Sequence, residues 1–457
     1  MIRHLYSLLL LLPVLSTGIL HGQYTARIST CYCFFPSTKW GITDYYYYSE
    51  KFLDNPSEIT ALSISFRSCP RDWSRLENLK HLELNDWEEI RDSVDFYALP
   101  KLVSLDISGT DSQCLPPSLG ALPNLQALSI SNRSMVYLPA ELGKLMELRE
   151  LNFWRCNHLD WDSAFQVLSK LSKLEALSIS SCDLKKIPTS LSGLKSLKCL
   201  SISSNPNFDF QSLVDAAQFI PNLIHLDVEG NDLTDMPNSI HQISSLRSLN
   251  LSNNALTKLS AGLGSMYQLS CLDVSNNNFS NSTPLDALSG LSALTYLEVR
   301  DCQLTSIPNS IYGLVSLTSL DISQNPLGDI PMPERKLPNL QHIYLENCQL
   351  NAIPTIIYQL PTLRTLSLGD NAISNLDKKL LDFKQLKYLY LEGNSLKKIP
   401  NWVLDIEKLD QLHVKGNPGT LKFIKKNLHP LSTKFLTDLE DILFWDFGIT
   451  PERSRVG

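Results

Sequence analysis

Hydrophobic and polar positions follow one fixed pattern along most of the chain. The spacing L-x-x-L-x-L is clear at Leu79, Leu82 and Leu84, and the dominant step to the next copy is 23 residues. A degenerate first copy begins at Ile59, and later copies begin at Leu102, Leu125, Leu148, Leu174, Leu197, Leu223, Leu246, Leu269, Leu294, Leu317, Leu340, Leu363, Leu386 and Leu409. Repetition with this period predicts a solenoid, because one such unit cannot bury its apolar face alone.

Each repeat contains the same predicted elements. The alternating L-x-L segment predicts a β-strand whose leucines point inward, and stacked copies pair into a parallel sheet at about 4.8 Å per repeat. An Asn or Cys follows eight residues after the start, where its side chain can satisfy backbone groups at the bend. We expect a structural ladder at these positions, formed by Cys156, Cys182, Asn205, Asn231, Asn254, Asn277, Cys302, Asn325, Cys348, Asn371, Asn394 and Asn417.

The outer side of each repeat is predicted from its prolines and from the longer copies. Pro often follows fourteen residues after the start, and it cannot donate to a sheet ladder, so it belongs on the convex side. The longer copies carry helix-like apolar spacing over Ala164–Lys173 and Ser212–Ile220. The regular copies are expected to use extended or single-turn 3₁₀ segments instead.

The complete unit, L-x-x-L-x-L-x-x-N/C-x-L-x-x-I-P-x-x-I-x-x-L-x-x, resembles the leucine-rich-repeat superfamily in its 23-residue, secreted form. The resemblance covers residues 59–418, about 16 repeats. It implies an α/β solenoid (horseshoe) with a parallel β-sheet on the concave face, short helical or extended convex segments, and a cap at both ends. It also implies recognition of another macromolecule as the usual role.

The two ends of the chain differ from the repeats. Arg3 and His4 precede an apolar run over residues 5–20, which is typical of a signal peptide and too short for a membrane span; we assign residues 1–22 to it. This predicts a secreted or cell-surface protein with no transmembrane segment in the mature chain. Residues 23–58 predict an N-terminal cap, or alternatively an aromatic contact surface, and residues 419–457 a C-terminal helical cap.

The chain has ten cysteines, and four of them occupy ladder positions. Cys199 and Cys271 lie on strands three repeats apart, about 14 Å by strand spacing, which is too far for a bond between them. The prediction is that pairing is confined to the remaining cysteines, of which Cys31 or Cys33 with Cys69 would staple the cap. The connectivity of this remaining group stays open; its members are Cys31, Cys33, Cys69 and Cys114.

Charge and motifs exclude several classes of function. The formal net charge of −7, without a basic stripe, argues against a nucleic-acid partner. No catalytic or phosphate-binding motif is present, so we expect no enzymatic activity and no cofactor. His225, Asp227 and Glu229 point outward on one strand, but the first and last are about 13 Å apart, too far for one metal ion.

The outward residues of the strands change character along the array. Early copies offer small polar groups such as Ser129 and Ser178, whereas aromatic and charged side chains gather from Leu294 onward. Tyr and Arg often anchor protein interfaces, although any sheet also tolerates Tyr well. We predict a partner-binding patch formed by Tyr296, Glu298, Arg300, His342, Tyr344, Glu346, Tyr388, Tyr390, Glu392 and His413.

Three functions remain open at this point. The leading one is non-catalytic recognition of a protein, or of a glycan, through the concave face. The second is a structural adhesin or envelope scaffold whose repeats mainly span distance. The third is an intracellular Ras-group-like signalling adaptor, which requires that the leader is not a signal peptide.

Overall fold

The computed structural model describes residues 46–47, 56–65, 72–85, 94–110, 112–280, 285–328, 330 and 337–427. The described residues fall into two compact units, which divide between Leu294 and Thr295; we call them the N-terminal and C-terminal units. The predicted signal peptide, most of the predicted N-terminal cap and residues 428–457 lie outside the described residues.

The N-terminal unit is built on parallel strands that pair in sequence order. The pairing runs residue by residue at the 23-residue step, so that Leu82 lies beside Leu105 and Leu105 beside Leu128. The strands are β1 (Tyr46–Tyr47), β2 (Ala61–Ser65), β3 (His81–Asn85), β4 (Ser104–Ser108), β5 (Ala127–Ser131), β6 (Glu150–Trp154), β7 (Ala176–Ser180), β8 (Cys199–Ser201), β9 (His225–Asp227), β10 (Ser248–Asn250) and β11 (Cys271–Asp273).

The convex segments of this unit are mostly single 3₁₀ turns, as the regular repeats predict. Two longer repeats form α-helices instead, α1 (Trp161–Leu168) and α2 (Phe210–Ala217). Both helices begin and end earlier than the apolar spacing indicated, because Asp160 and Asp209 cap them through the backbone N–H groups of Ser163 and Ser212. The 3₁₀ turns are Pro56–Glu58, Trp73–Leu76, Phe96–Ala98, Pro117–Ala121, Ala140–Lys144, Thr189–Gly193, Asn238–Gln242, Ala261–Ser265 and Asp286–Gly290.

The C-terminal unit repeats the same plan. Its strands also pair in parallel and in register, with Leu320 beside Ile343 and Ile343 beside Leu366. The strands are β12 (Tyr296–Glu298), β13 (Ser319–Asp321), β14 (His342–Tyr344), β15 (Thr365–Ser367), β16 (Tyr388–Tyr390) and β17 (Gln411–His413). The helical segments are α3 (Asn309–Tyr312), the 3₁₀ turns Thr355–Gln359, Lys378–Asp382 and Asn401–Asp405, and α4 (Thr420–Asn427), which begins inside the predicted C-terminal cap.

The core of each unit is the space between the strands and the convex segments. From β2 on, the second residue of each strand is Leu, or Ile343 in β14, and it points into this space and is buried. The convex residues that face it are buried as well, such as Leu142 in the first unit and Ile357 in the second. The predicted leucine-rich-repeat solenoid with parallel strands is therefore confirmed within each unit.

Asparagine side chains connect the repeats behind the strands. Asn325 is fully buried, and its Oδ1 accepts the backbone N–H groups of Cys302 at 2.9 Å and Leu304 at 3.0 Å. Its Nδ2 donates to the carbonyls of Val299 at 2.7 Å and Ile322 at 2.9 Å. A Cys at this position makes fewer and longer contacts: the sulfur of Cys348 donates to the carbonyl of Ile322 at 3.5 Å.

The bend before each ladder residue has one backbone conformation. The residue that precedes every ladder position has a positive φ, for example +67° at Gly230 and +60° at Gln324. Glycine adopts this left-handed conformation without a steric cost, whereas other residues carry a penalty. The repeated turn therefore costs stability at most copies, and the ladder bonds offset that cost.

The cysteines depart from the sequence prediction. Cys114, expected among those that can pair, is buried and forms no disulfide, and the same holds for the four ladder cysteines. Cys199 and Cys271, expected to remain thiols, are each disulfide-bonded. The prediction that pairing is confined to Cys31, Cys33, Cys69 and Cys114 is thus wrong, because it considered only a bond between Cys199 and Cys271 themselves.

Candidate recognition surface

The side chains that flank the inward leucines form the sheet face of each unit. In the C-terminal unit the residue-by-residue register aligns them in columns that run across the strands. One column contains Tyr296, Ser319, His342, Thr365, Tyr388 and Gln411. The next contains Glu298, Asp321, Tyr344, Ser367, Tyr390 and His413.

From β12 to β16, large and small side chains alternate from strand to strand in these columns. Tyr or His stands on β12, β14 and β16, whereas β13 and β15 carry Ser, Thr or Asp. Neighbouring ridges are therefore two strand spacings apart, about 10 Å. The short residues between the ridges are buried, Thr365 at 2% exposure and Ser367 at 1%. Most of the predicted patch residues thus lie on or just after β12, β14 and β16, with furrows between these strands, whereas His413 lies on β17 directly beside β16.

Hydrogen bonds fix the first ridge and the furrow beside it. The hydroxyl of Tyr296 donates to Oε1 of Glu298 at 2.5 Å, which orients the phenol along its own strand. The guanidinium of Arg300 reaches across to the carboxylate of Asp321, with 3.3 Å between Nη1 and Oδ2. Both contacts hold long side chains in one conformation before any partner arrives.

The remaining predicted residues are held in a similar way. His342 Nδ1 and Thr365 Oγ1 are 2.8 Å apart, and the Ser367 hydroxyl donates to Glu346 Oε1 at 2.5 Å. The rings of Tyr390 and His413 stack with centroids 4.7 Å apart and an interplanar angle of 21°. Most of the predicted residues are half-buried, but Tyr344 is only 4% exposed and offers little of its ring to a partner.

The sheet face of the N-terminal unit carries an acidic group on β9 and beside it. Asp227 accepts the hydroxyl of Ser201 at 2.8 Å and the backbone N–H of Glu229 at 3.1 Å. Burial raises the pKa of Asp227, and burial together with Asp227 raises the pKa of Glu229. Across the described residues, no group of three or more His, Cys, Asp and Glu side chains is arranged to hold a metal ion.

One feature of this face was not predicted from the sequence. Trp154, at the end of β6, is 43% exposed, and the Arg155 guanidinium lies 4.1 Å from the centre of its ring. Arg133, Arg155 and His158 line an open depression beside it. The signal was the Phe-Trp-Arg sequence of this repeat, in which Trp154 takes an outward position that the two flanking repeats fill with Ser131 and Ser180.

None of the helices in the described ranges has the length and apolar character needed to cross a membrane. This finding applies to residues 46–427 with the gaps given above.

Comparison with protein-family models matches leucine-rich repeats along the described chain. A model of a leucine-rich repeat region matches residues 67–245, and models of one or more leucine-rich repeats match residues 245–266, 267–327, 315–358 and 361–418. No protein of curated function matches the chain.

Solved structures show the same fold. A leucine-rich-repeat protein of Leptospira interrogans is 28% identical, with a TM-score of 0.66, and the match covers 86% of this chain and 100% of that one. TLR13 in its complex with ssRNA13 is 20% identical (TM-score 0.56, 79% of this chain and 57% of that one). Drosophila Toll in its complex with Spatzle is 20% identical (TM-score 0.53, 81% and 49%). The match thus spans about half the length of the latter two proteins.

Proposed function

The chain belongs to the leucine-rich-repeat family, and from this premise we propose that it is a secreted or cell-surface recognition protein without catalytic activity. Its ligand is a protein segment that binds the sheet face of the C-terminal unit. The observation that carries the proposal is the alternation of aromatic ridges with polar furrows from β12 to β16, in which most of the aromatic side chains are half-buried.

The charges of this face indicate the chemistry of the ligand. Glu298 and Asp321 stand in the second column, and Glu346 and Glu392 follow β14 and β16. The equivalent positions after β12 and β17 carry Arg300 and Lys415, and Arg300 is already paired with Asp321. Carboxylates that flank aromatic rings favour Lys and Arg, through ion pairs and through cation–π contacts with Tyr. We therefore expect a ligand segment rich in basic residues, rather than an acidic glycan or a nucleic acid.

Two observations support an extracellular or periplasmic site of action. The leader sequence has the composition of a signal peptide. The disulfide bonds at Cys199 and Cys271 belong to an oxidising compartment, because cytosolic thiols are kept reduced. The same bonds count against the intracellular adaptor. Drosophila Toll, which shares the fold, is seen with a protein ligand.

Phage-displayed peptides selected on the purified protein test this function. We expect Lys- or Arg-rich peptides to be enriched, and Tyr390→Ala to weaken their binding roughly thirtyfold, the loss typical of an anchoring aromatic. Tyr267→Ala is the matched control, because Tyr267 is exposed in the turn between Ala261–Ser265 and β11 of the N-terminal unit. Peptides that bind both variants equally would overturn the assignment to this face. A library that yields no binder would favour the structural adhesin or envelope scaffold.

A further inference from the structure

Two large side chains at the end of β6 occupy places that the neighbouring repeats fill with serine. The strand register sets Trp154 between Ser131 of β5 and Ser180 of β7. Arg155 follows it, at the place that Ser181 holds in the next repeat, and both residues have a positive φ. Since the neighbouring repeats form the same strand and the same bend with serine, the fold itself does not account for this tryptophan and this arginine.

The open depression beside Trp154 is lined by hydrogen-bond donors. Its volume is about 500 Å³, and the described residues that line it are Arg133, Arg155, Asn157, His158 and Ser181. Guanidinium, amide, imidazole and hydroxyl groups can all donate, and none of these five side chains carries a carboxylate. Such a set of donors fits a ligand group that accepts hydrogen bonds and carries negative charge.

The two arginines of the depression have no intramolecular counter-ion in the part of the chain that the structure describes. No carboxylate there lies within ion-pair distance of Arg133 or Arg155. Elsewhere in the same unit, by contrast, Arg149 and Lys198 both pair with Glu175. The two guanidinium groups are therefore available to an anionic ligand.

The carboxylates that follow in the same loops have partners of their own. Asp160 accepts the backbone N–H of Ser163 and caps α1. Asp183 pairs with Lys185, with 2.6 Å between Oδ1 and Nζ. Neither carboxylate pairs with the guanidinium groups of the depression.

Backbone hydrogen bonds fix the loops that carry these donors. The N–H of Arg155 donates to the carbonyl of Ser180, and the N–H of Ser181 to the carbonyl of Ser203, both at 3.1 Å. The cation–π contact between Arg155 and Trp154 holds the guanidinium beside the indole, which remains 43% exposed. The site is therefore formed before a ligand binds, which lowers the entropic cost of binding.

The sheet face next to the depression indicates the class of ligand. Ser129, Asn152 and Ser178 form one row across β5, β6 and β7, and the next row contains Trp154 between two serines. The core of a protein interface is usually apolar, whereas these rows offer hydroxyl and amide groups around one aromatic ring. A sugar ring matches them, because its hydroxyls pair with polar side chains and its apolar face packs against an indole.

We propose that the depression beside Trp154 binds the sulfate or carboxylate groups of an acidic polysaccharide. The guanidinium groups of Arg133 and Arg155 pair with the anion, and Trp154 packs against a sugar ring. The site lies within the N-terminal unit, and its ligand differs from the basic peptide of the proposed function. The inference therefore does not rest on that function.

Calorimetric titration of the full chain with a heparin oligosaccharide tests the site. We expect binding, and we expect Arg155→Ser and Trp154→Ser, which match the neighbouring repeats, each to weaken it about tenfold. The matched control Lys258→Ser removes an exposed positive charge four repeats further along and should leave binding unchanged. Equal losses in all three variants, or no binding of heparin by the wild type, would overturn the inference.

Competition separates a polysaccharide from other polyanions. Polyglutamate and oligo-dT of matched charge should displace heparin poorly, and uncharged dextran should not displace it. Displacement by polyglutamate as strong as by heparin would assign the site to an acidic protein segment, and displacement by oligo-dT would assign it to a nucleic acid. Either result would overturn the inference. Heparin stripped of its sulfates keeps its carboxylates, so its binding shows which of the two anions occupies the depression.

Arginine modification of the wild-type protein gives a test without variants. Phenylglyoxal reacts with accessible guanidinium groups, and peptide mapping identifies the modified residues. We expect heparin to protect Arg133 and Arg155 but not the exposed Arg247 of the same unit. Equal protection of all three, or no protection of the first two, would contradict the site. None of these readouts uses a peptide ligand, so this inference and the proposed function fail separately.

Discussion

At the scale of the single residue, the ladder asparagines have the largest effect on stability. Asn325→Leu leaves two backbone N–H groups and several carbonyls without partners in the core. At about 1–3 kcal/mol for each unsatisfied group, we expect a loss of about 3 kcal/mol or more in the free energy of unfolding, measured by urea titration. Asn325→Cys, which reproduces what other repeats use, should cost about 1 kcal/mol. Equal losses for the two variants would contradict the role of the amide.

The acidic group on β9 gives a prediction with a defined pH dependence. Burial raises the pKa of Asp227 in the folded state, so the favourable contribution of its protonated form is present at low pH and is lost as the pH rises through that value. Asparagine does not ionise, so Asp227→Asn keeps this favourable contribution at every pH. The variant should melt above the wild type at pH 7, and the difference should shrink towards pH 4.

The exposed Asp232 provides the control for this measurement. At each of the two pH values, Asp232→Asn should melt at the same temperature as the wild type. A wild-type advantage over Asp227→Asn at pH 7 would show that the bonds to Ser201 and Glu229 outweigh the cost of burial.

The buried Tyr344 shows a limit of sequence reasoning at this scale. Its outward position could be read from the repeat, but its exposure depends on how tightly the neighbouring side chains pack around it. The exposed fraction of a side chain depends on the neighbouring repeats, so it cannot be predicted from the sequence of one repeat.

At the scale of the element, caps decide where the convex helices begin. Asp160 accepts the backbone N–H and the hydroxyl of Ser163 at the start of α1. Asp160→Ala should lower the free energy of unfolding by about 1 kcal/mol, whereas Asp160→Asn, which keeps an acceptor, should change it little. A loss for Asn as large as for Ala, in thermal melts at neutral pH, would show that the charge and not the cap is responsible.

The strands could be predicted almost completely from the sequence, and the helices less well. Each L-x-L segment gives one strand because the alternation repeats at a fixed step, and the many copies reinforce one another. The bounds of α1 and α2 were shifted because the apolar spacing marks the buried side of a helix and not its first residue. The ladder positions were evident, while the alternation of ridges and furrows required the register across several strands.

At the scale of the whole molecule, the leader sequence makes the simplest prediction. If residues 1–22 are a signal peptide, mass spectrometry of the mature protein should find an N-terminus between residues 19 and 25. The apolar run over residues 5–20 is too short to span a membrane, so we expect the leader to be absent from the mature protein. Intact Met1 in a soluble cytosolic fraction would exclude secretion and would favour the function of an intracellular adaptor instead.

The disulfides show what a repeat pattern does not contain. Strand spacing argues against a bond between Cys199 and Cys271, but it did not predict that each of them is disulfide-bonded. A pattern of 23 residues describes contacts between consecutive copies.

The ridges on β12, β14 and β16 also determine which spacing of side chains fits in a ligand that crosses the strands. Their separation of about 10 Å matches the advance of three residues in a polyproline II helix, about 9.3 Å, which returns the same side of the chain every third residue. A segment in that conformation would place equivalent side chains in successive furrows, so every third residue of the ligand would make the same kind of contact. One residue inserted into such a ligand would put every following side chain out of phase, whereas three would restore the match.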